Sequence, residues 1–240
     1  MSADLVRAFQ IHRKRCSLAV VLMLAMVSIA ACDHADRFTY KYKLTVKVID
    51  GGREITGANV VRVTEIREVR GGARRPELCG AALFIPLSNK KILIATLNAP
   101  NGRGADTTVR RWRASPTYVL LSGYRLPTEW FSFDDSGLKQ LEKKRGAISM
   151  AVEQLPEFLT FRNAEDPLTV AQLDPSNLAR DLGPGVKFVE ATIEPTDEPV
   201  TPSAVKTYLR WFDSRREYLG NKRFGEDVAY HHTTQLEQCD

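Results

Sequence analysis

Residues 37–69 read RFTYKYKLTVKVIDGGREITGANVVRVTEIREV, and the fold class turns on them. Phe38, Tyr40, Tyr42, Leu44, Val46 and Val48 occupy one parity, while Lys41, Lys43, Thr45 and Lys47 occupy the other. A period of two places the first set on one side of an extended chain and the second on the opposite side, the pattern of a strand buried on one face. Asp50, Gly51, Gly52, Arg53 and Glu54 interrupt it with residues that turns favour. Residues 59–69 then resume it, which predicts an antiparallel hairpin.

Outward from this hairpin the signal persists and then changes. After the loop RGGARRPE, residues 78–97 read LCGAALFIPLSNKKILIATL, a second hairpin with SNKK as its turn. Beyond the loop NAPNGRGAD the signals shorten. YVLL at 118–121 suits either a strand or a buried helix. Residues 135–146 place Asp135 at the start and Lys143, Lys144 and Arg145 at the end, the order that complements a helix dipole. EFLTF at 157–161 and VKFVEATIE at 186–194 read as strands, and residues 174–185 as a short helix closed by Gly183. Residues 203–219 read as a final helix with Val205, Tyr208, Leu209, Phe212 and Tyr218 along one apolar face. No repeat and no Ser/Gly-rich linker divides residues 37–240. The expectation is one α+β domain: antiparallel hairpins in the N-terminal half, mixed short strands and helices in the C-terminal half, and a C-terminal amphipathic helix.

Upstream of this domain, Arg7, Arg13, Lys14 and Arg15 precede an apolar run at residues 18–31, the charge-then-apolar order of a secretory signal peptide. The run has 14 residues, against the roughly 20 that a spanning helix requires. It ends in Ile29-Ala30-Ala31-Cys32, which resembles the lipobox of bacterial lipoproteins. By that resemblance residues 1–31 are removed, Cys32 receives a diacylglycerol thioether and an N-acyl chain, and residues 32–36 tether the domain. Only a thiolate supplies the soft nucleophile for such a bond, and more than one acyl chain is needed for stable anchoring. The implied location is the periplasmic face of the cell envelope. Asp33 resembles an inner-membrane retention signal, which favours the inner over the outer membrane.

Removing the leader changes the charge and cysteine arithmetic. The whole chain has 34 Lys and Arg against 29 Asp and Glu; four of the bases and one of the acids lie in residues 1–31, so residues 32–240 carry 30 against 28, a net charge of +2. A nucleic-acid partner is not expected from that balance. Of the four cysteines, Cys16 lies in the leader and Cys32 is the lipidation candidate, leaving Cys79 and Cys239. In an oxidising compartment this pair reads as a disulfide; the alternative is a small buried Cys79 and a free thiol at Cys239.

Two stretches carry a further resemblance: YKLTVKVIDGGREITGANVVRV at 42–63 and FRNAEDPLTVAQLDPSNLARDLGPGVKFVEATIEPTDEPVT at 161–201. Together they resemble a family of uncharacterised proteobacterial proteins with an LTVxV hairpin and DPxTV, LGPGV and TDEPVT blocks. The resemblance implies that these segments belong to one folded module, and it carries over no catalytic residue.

Constellations for chemistry are sparse. His34, His231 and His232 are the histidines beyond the leader; none falls in a predicted core element, and no metal site, cofactor or nucleophile–base device is expected. Paired carboxylates at Asp134 and Asp135, at Glu226 and Asp227, and at Glu194, Asp197 and Glu198 offer an alternative, an envelope hydrolase of glycosidase type. Arg110, Arg111, Trp112 and Arg113 interleave guanidinium groups with an indole, which suits an anionic headgroup or glycan; Arg74 and Arg75 are candidates to join them. The expected class is a non-catalytic binding or assembly module, with the membrane as partner through its lipid and an envelope protein or anionic surface as a second partner.

Overall fold

The computed structural model describes residues 37–67, 74–97, 115–128, 135–212 and 237–238. The first hairpin pairs β1 (Arg37–Asp50) with β2 (Arg53–Arg67) along its whole length. Gly51 and Gly52 close it at φ +58° and +85°, the left-handed pair that a two-residue hairpin of right-handed twist requires. β2 begins six residues earlier than its pattern suggested, because Ile55, Gly57 and Asn59 complete the ladder opposite Val48, Val46 and Leu44.

Tyr40, Tyr42, Leu44, Val46 and Val48 are all buried, and the intervening lysines face outward. β1 is central in a six-stranded antiparallel sheet, ordered β10-β3-β2-β1-β9-β6, with β3 at Arg74–Ala81, β6 at Ile148–Ser149, β9 at Lys187–Pro195 and β10 at Glu237–Gln238. A second sheet, β4-β5-β7-β8, is built from Leu83–Pro86, Ile92–Ala95, Phe158–Phe161 and Val170–Gln172.

The predicted second hairpin is therefore divided between sheets. Residues 74–81 extend the first sheet, the chain breaks from strand at Ala82, and Leu83–Pro86 opens the second. Leu83, Ile85, Leu93, Ala95 and Phe158 join the inner residues of β1 and β2 in one apolar cluster. The opposite parity of the small sheet, with Phe84, Ile94, Leu159 and Phe161, packs against Val205, Leu209, Trp211 and Phe212. The small sheet is thus buried on both faces, which explains its near-continuous apolar composition.

YVLL resolves as helix: α1 (Pro116–Gly123) starts with Ser115 accepting from the Tyr118 amide. α2 (Asp135–Leu141) and α3 (Ala179–Leu182) follow, and Gly183 ends α3 at φ +114°. The long final helix does not form in the described part. α4 covers Val205–Tyr208, and Leu209 leaves helical geometry at φ −124° and ψ 79°. Val205, Leu209 and Phe212 are buried nonetheless, so burial of one side by a short turn and irregular chain imitates helical spacing.

Between β9 and α4, residues 196–201 cross the outer face of the large sheet. The Thr196 amide donates to the Lys41 carbonyl at 3.0 Å, and the Thr201 amide donates to the Val60 carbonyl at 3.1 Å. Lys41 Nζ donates to the Asp197 carbonyl at 2.7 Å, and Lys43 Nζ pairs with Glu198 at 2.8 Å. The strap carries the chain from the β9 side of the sheet to the far face of the small sheet. Arg37–Asp240 forms a single compact unit. Within it Cys79 is disulfide-bonded; Cys239 lies outside the described residues.

Candidate functional site

Several sequence candidates fall outside the described residues: Cys32, His34, Arg110, Arg111, Trp112, Arg113, Asp134, Glu226, Asp227, His231 and His232. Asp135 opens α2. The acids of the TDEP stretch have structural partners: Asp197 pairs with Arg145 at 2.8 Å and Glu198 with Lys43 at 2.8 Å. Among the described residues no cluster of His, Cys, Asp and Glu is arranged to hold a metal ion, and no helix is long and apolar enough to cross a membrane.

Arginines collect at the end of the large sheet where the chain enters it. Strand register sets Arg37 opposite Ile66, Arg67 opposite Arg74, and Ile66 opposite Arg75. Arg75 pairs with Glu77 at 2.8 Å, with both side chains largely exposed. Of the two arginines expected to add to a basic surface, Arg75 is thus exposed and paired with Glu77, and strand register sets Arg37 across Ile66 from it.

The opposite end of the sandwich holds a concave groove of about 280 Å³. Its cations are Lys90 and Lys91, from the β4–β5 turn, and Arg162, from the end of β7; Ile92, Phe161, Ala164 and Leu209 supply its apolar lining. Strand pairing brings these together. β5 runs antiparallel to β7, with Ile94 opposite Leu159, so the start of β5 and the end of β7 lie side by side at one end of the small sheet. Among the described residues no carboxylate lines the groove, and the Arg162 guanidinium has no hydrogen-bond or ion-pair partner.

The turn that presents the lysines is held from several directions. The Lys90 amide donates to the Leu87 carbonyl and the Leu87 amide to the Lys91 carbonyl. Asn89 Nδ2 donates to the Leu182 carbonyl at 2.6 Å, and Asn89 Oδ1 accepts from the Lys91 amide at 3.1 Å. Lys91 Nζ donates to the Asp181 carbonyl at 2.7 Å. The buried carboxylate of Asp50 accepts from the Ser88 amide at 2.6 Å. Lys90 itself lies at φ +67°, the third position of a three-residue hairpin loop, where glycine is the usual occupant. A lysine in this left-handed conformation costs of order 1 kcal/mol and persists only where its surroundings enforce it, a pattern concentrated at functional positions.

The floor is equally fixed. Trp211 Nε1 donates to the Ala164 carbonyl at 2.7 Å, and the Trp211 and Phe161 rings meet edge to face at 5.6 Å. The arrangement is a rigid cationic recess over an apolar floor, suited to binding an anion.

A second polar cluster is interior. Thr117 Oγ1 donates to Glu65 Oε1 and stands 2.8 Å from the Tyr40 hydroxyl. Since the single Thr117 proton goes to the carboxylate, Tyr40 is the donor to Thr117. Burial, with the Glu65 charge in support, holds the Tyr40 phenol well above the ordinary tyrosine value. This chain of bonds ties α1 to the large sheet; it opens on none of the cations of the groove.

The sequence reading missed the groove because it took SNKK as turn residues and EFLTF as an isolated strand. Two lysines in a turn were the visible signal, while Arg162, some 70 residues away in sequence, joins them only through the β5–β7 pairing. No protein-family model matches the chain, and no curated protein or solved structure matches it.

Proposed function

We propose that this protein is a lipid-anchored binding module of the bacterial cell envelope, held through Cys32 and facing the periplasm, with recognition rather than catalysis as its activity. The observation that carries this reading is the junction of lipobox and fold. Four residues separate the last residue of Ile29-Ala30-Ala31-Cys32 from Arg37, where β1 begins. The five steps from Cys32 to Arg37 reach at most about 18 Å, so the chain-entry end of the domain stays close to the lipid surface. Strand pairing places Arg37 and Arg75 on either side of Ile66 at that end, and cations close to anionic headgroups each add roughly 1 kcal/mol of attraction. Arg110, Arg111 and Arg113 are proposed to add to the same anionic contact.

The groove with Lys90, Lys91 and Arg162 lies at the other end. β1 has 14 residues, which at about 3.4 Å each separates its ends by about 45 Å. An anchored domain with a recess at its far end suits capture of a ligand from the periplasm. Cell fractionation tests the anchoring: the wild type is expected in the membrane fraction, and Cys32→Ala is expected to fail maturation and accumulate with its leader attached. Recovery of a leaderless, soluble wild-type protein would refute the reading.

A further inference from the structure

Resting on the reading of the domain as a binding module, we infer that the Lys90–Lys91–Arg162 groove is a site for a small phosphorylated saccharide, a phosphomonoester carried on a single sugar ring. The donor inventory sets the class of the charged group. Arg162 presents a planar fork of five N–H donors, Lys90 three, and Lys91 two once the Asp181 carbonyl has taken one. A carboxylate fills the fork and leaves the ammonium groups without an acceptor. A phosphomonoester carries roughly −1.5 to −2 charge at neutral pH and three acceptor oxygens, enough to engage the fork with two of them and a lysine with the third.

The size and lining of the recess set the remainder of the ligand. Its volume of about 280 Å³ is near the lower limit of roughly 300 Å³ for small-molecule sites, which suits one ring with one charged group. Ile92 and Ala164 are partly exposed above the buried Phe161 and Leu209. They form an apolar strip on which the C–H face of a sugar rests while its hydroxyls meet water. Rigidity supports the same conclusion. The Lys90 backbone is fixed in a left-handed conformation and Asn89 is bonded to α3, so the turn that carries the lysines is held in place before the ligand arrives, which reduces the ordering cost of binding.

The source of the phosphate is a soluble or glycan-borne ester. Under the anchoring proposed above the membrane's own headgroups lie nearest the chain-entry end, one strand length from the recess, and the vesicle arm of the test separates the two sources.

Calorimetric titration of the full chain in detergent tests the assignment, with glucose 6-phosphate, inorganic phosphate and glucose as probes and phosphatidylglycerol vesicles as the headgroup arm. The expected order is glucose 6-phosphate above inorganic phosphate, with no heat from glucose. Arg162→Ala should weaken glucose 6-phosphate binding by about tenfold or more, the loss of one charge-assisted contact, and Arg162→Lys should restore only part of it. Lys90→Gly should also weaken binding yet leave the thermal unfolding midpoint no lower, because glycine accepts φ +67° without strain. That variant separates loss of the cation from loss of the fold. Absence of binding by glucose 6-phosphate, equal binding by the variants, or binding to the vesicles alone would overturn the inference. Each of these leaves the lipidation of Cys32 untouched, so failure of the groove and failure of the anchor are read separately.

Discussion

Alkaline titration offers a quantitative probe of the large sheet. Tyr42 lies on its inner face with 4% of its surface exposed, and burial holds its phenol far above the ordinary value of 10.0. In the unfolded chain this group titrates near pH 10. Above that pH the unfolded state has released a proton that the fold still keeps, so the native state binds more protons and stability falls as pH rises. The contribution is fully present below pH 10 and is lost at about 1.4 kcal/mol per pH unit above it. Tyr40, raised first by burial and then by Glu65, adds an equal slope, so the two together approach about 2.7 kcal/mol per unit. Tyr42→Phe preserves the ring and removes one of the two protons. Urea unfolding from pH 8 to 11.5 should therefore show the wild type losing about 1.4 kcal/mol more than the variant for each unit above pH 10. Lys43 and Lys47, whose ammonium groups are held by Glu198 and Glu190, are common to both proteins and cancel. Parallel curves for the two would refute the argument that Tyr42 remains protonated in the fold.

Other consequences follow from packing and pairing. Leu209→Ala removes a fully buried side chain from the layer that covers the far face of the small sheet, and should cost about 2–5 kcal/mol in chemical unfolding; a cost below 1 kcal/mol would show that this layer does not seal the sheet. Gly57→Ala places a Cβ 2.7 Å from Ile85 Cγ1 at the seam between the sheets, and about 1–3 kcal/mol of overpacking loss is expected, with no change in denaturant midpoint as the contrary result. Gln238 pairs with Gly80 and Glu237 with Ala81, while Cys79 is disulfide-bonded, so non-reducing peptide mapping should link Cys79 to Cys239. Replacing both cysteines by alanine should then cost roughly 2–5 kcal/mol, and a map with Cys79 joined to any other thiol would contradict the pairing.

How far the fold was legible depended on how local each signal was. The alternation in β1 and the Gly51–Gly52 turn are encoded within one contiguous stretch, residues 38–52, and both appear where the residues put them. LCGAALFIPL is one continuous apolar run, and nothing local distinguishes β3, which extends the large sheet, from β4, which opens the small one. Residues 205–212 carry apolar spacing that a helix would produce, yet Leu209 ends the helical turn; a surface that must cover Phe84, Ile94 and Phe161 imposes burial without helical geometry. The acids of TDEPVT suggested carboxylate chemistry, but their position over the lysines of β1 turns Glu198 into an ion-pair partner. The groove was least legible, because three cations from two distant segments meet only through strand order.

The anchoring of the domain is the premise on which the orientation of its two ends depends, and intact mass spectrometry of the membrane-extracted protein tests it most directly. The expected result is a chain that begins at Cys32 and carries the added mass of a diacylglyceryl group and an N-acyl chain, with the modification mapping to Cys32. A wild-type protein that begins elsewhere, or that begins at Cys32 with an unmodified thiol, would contradict it.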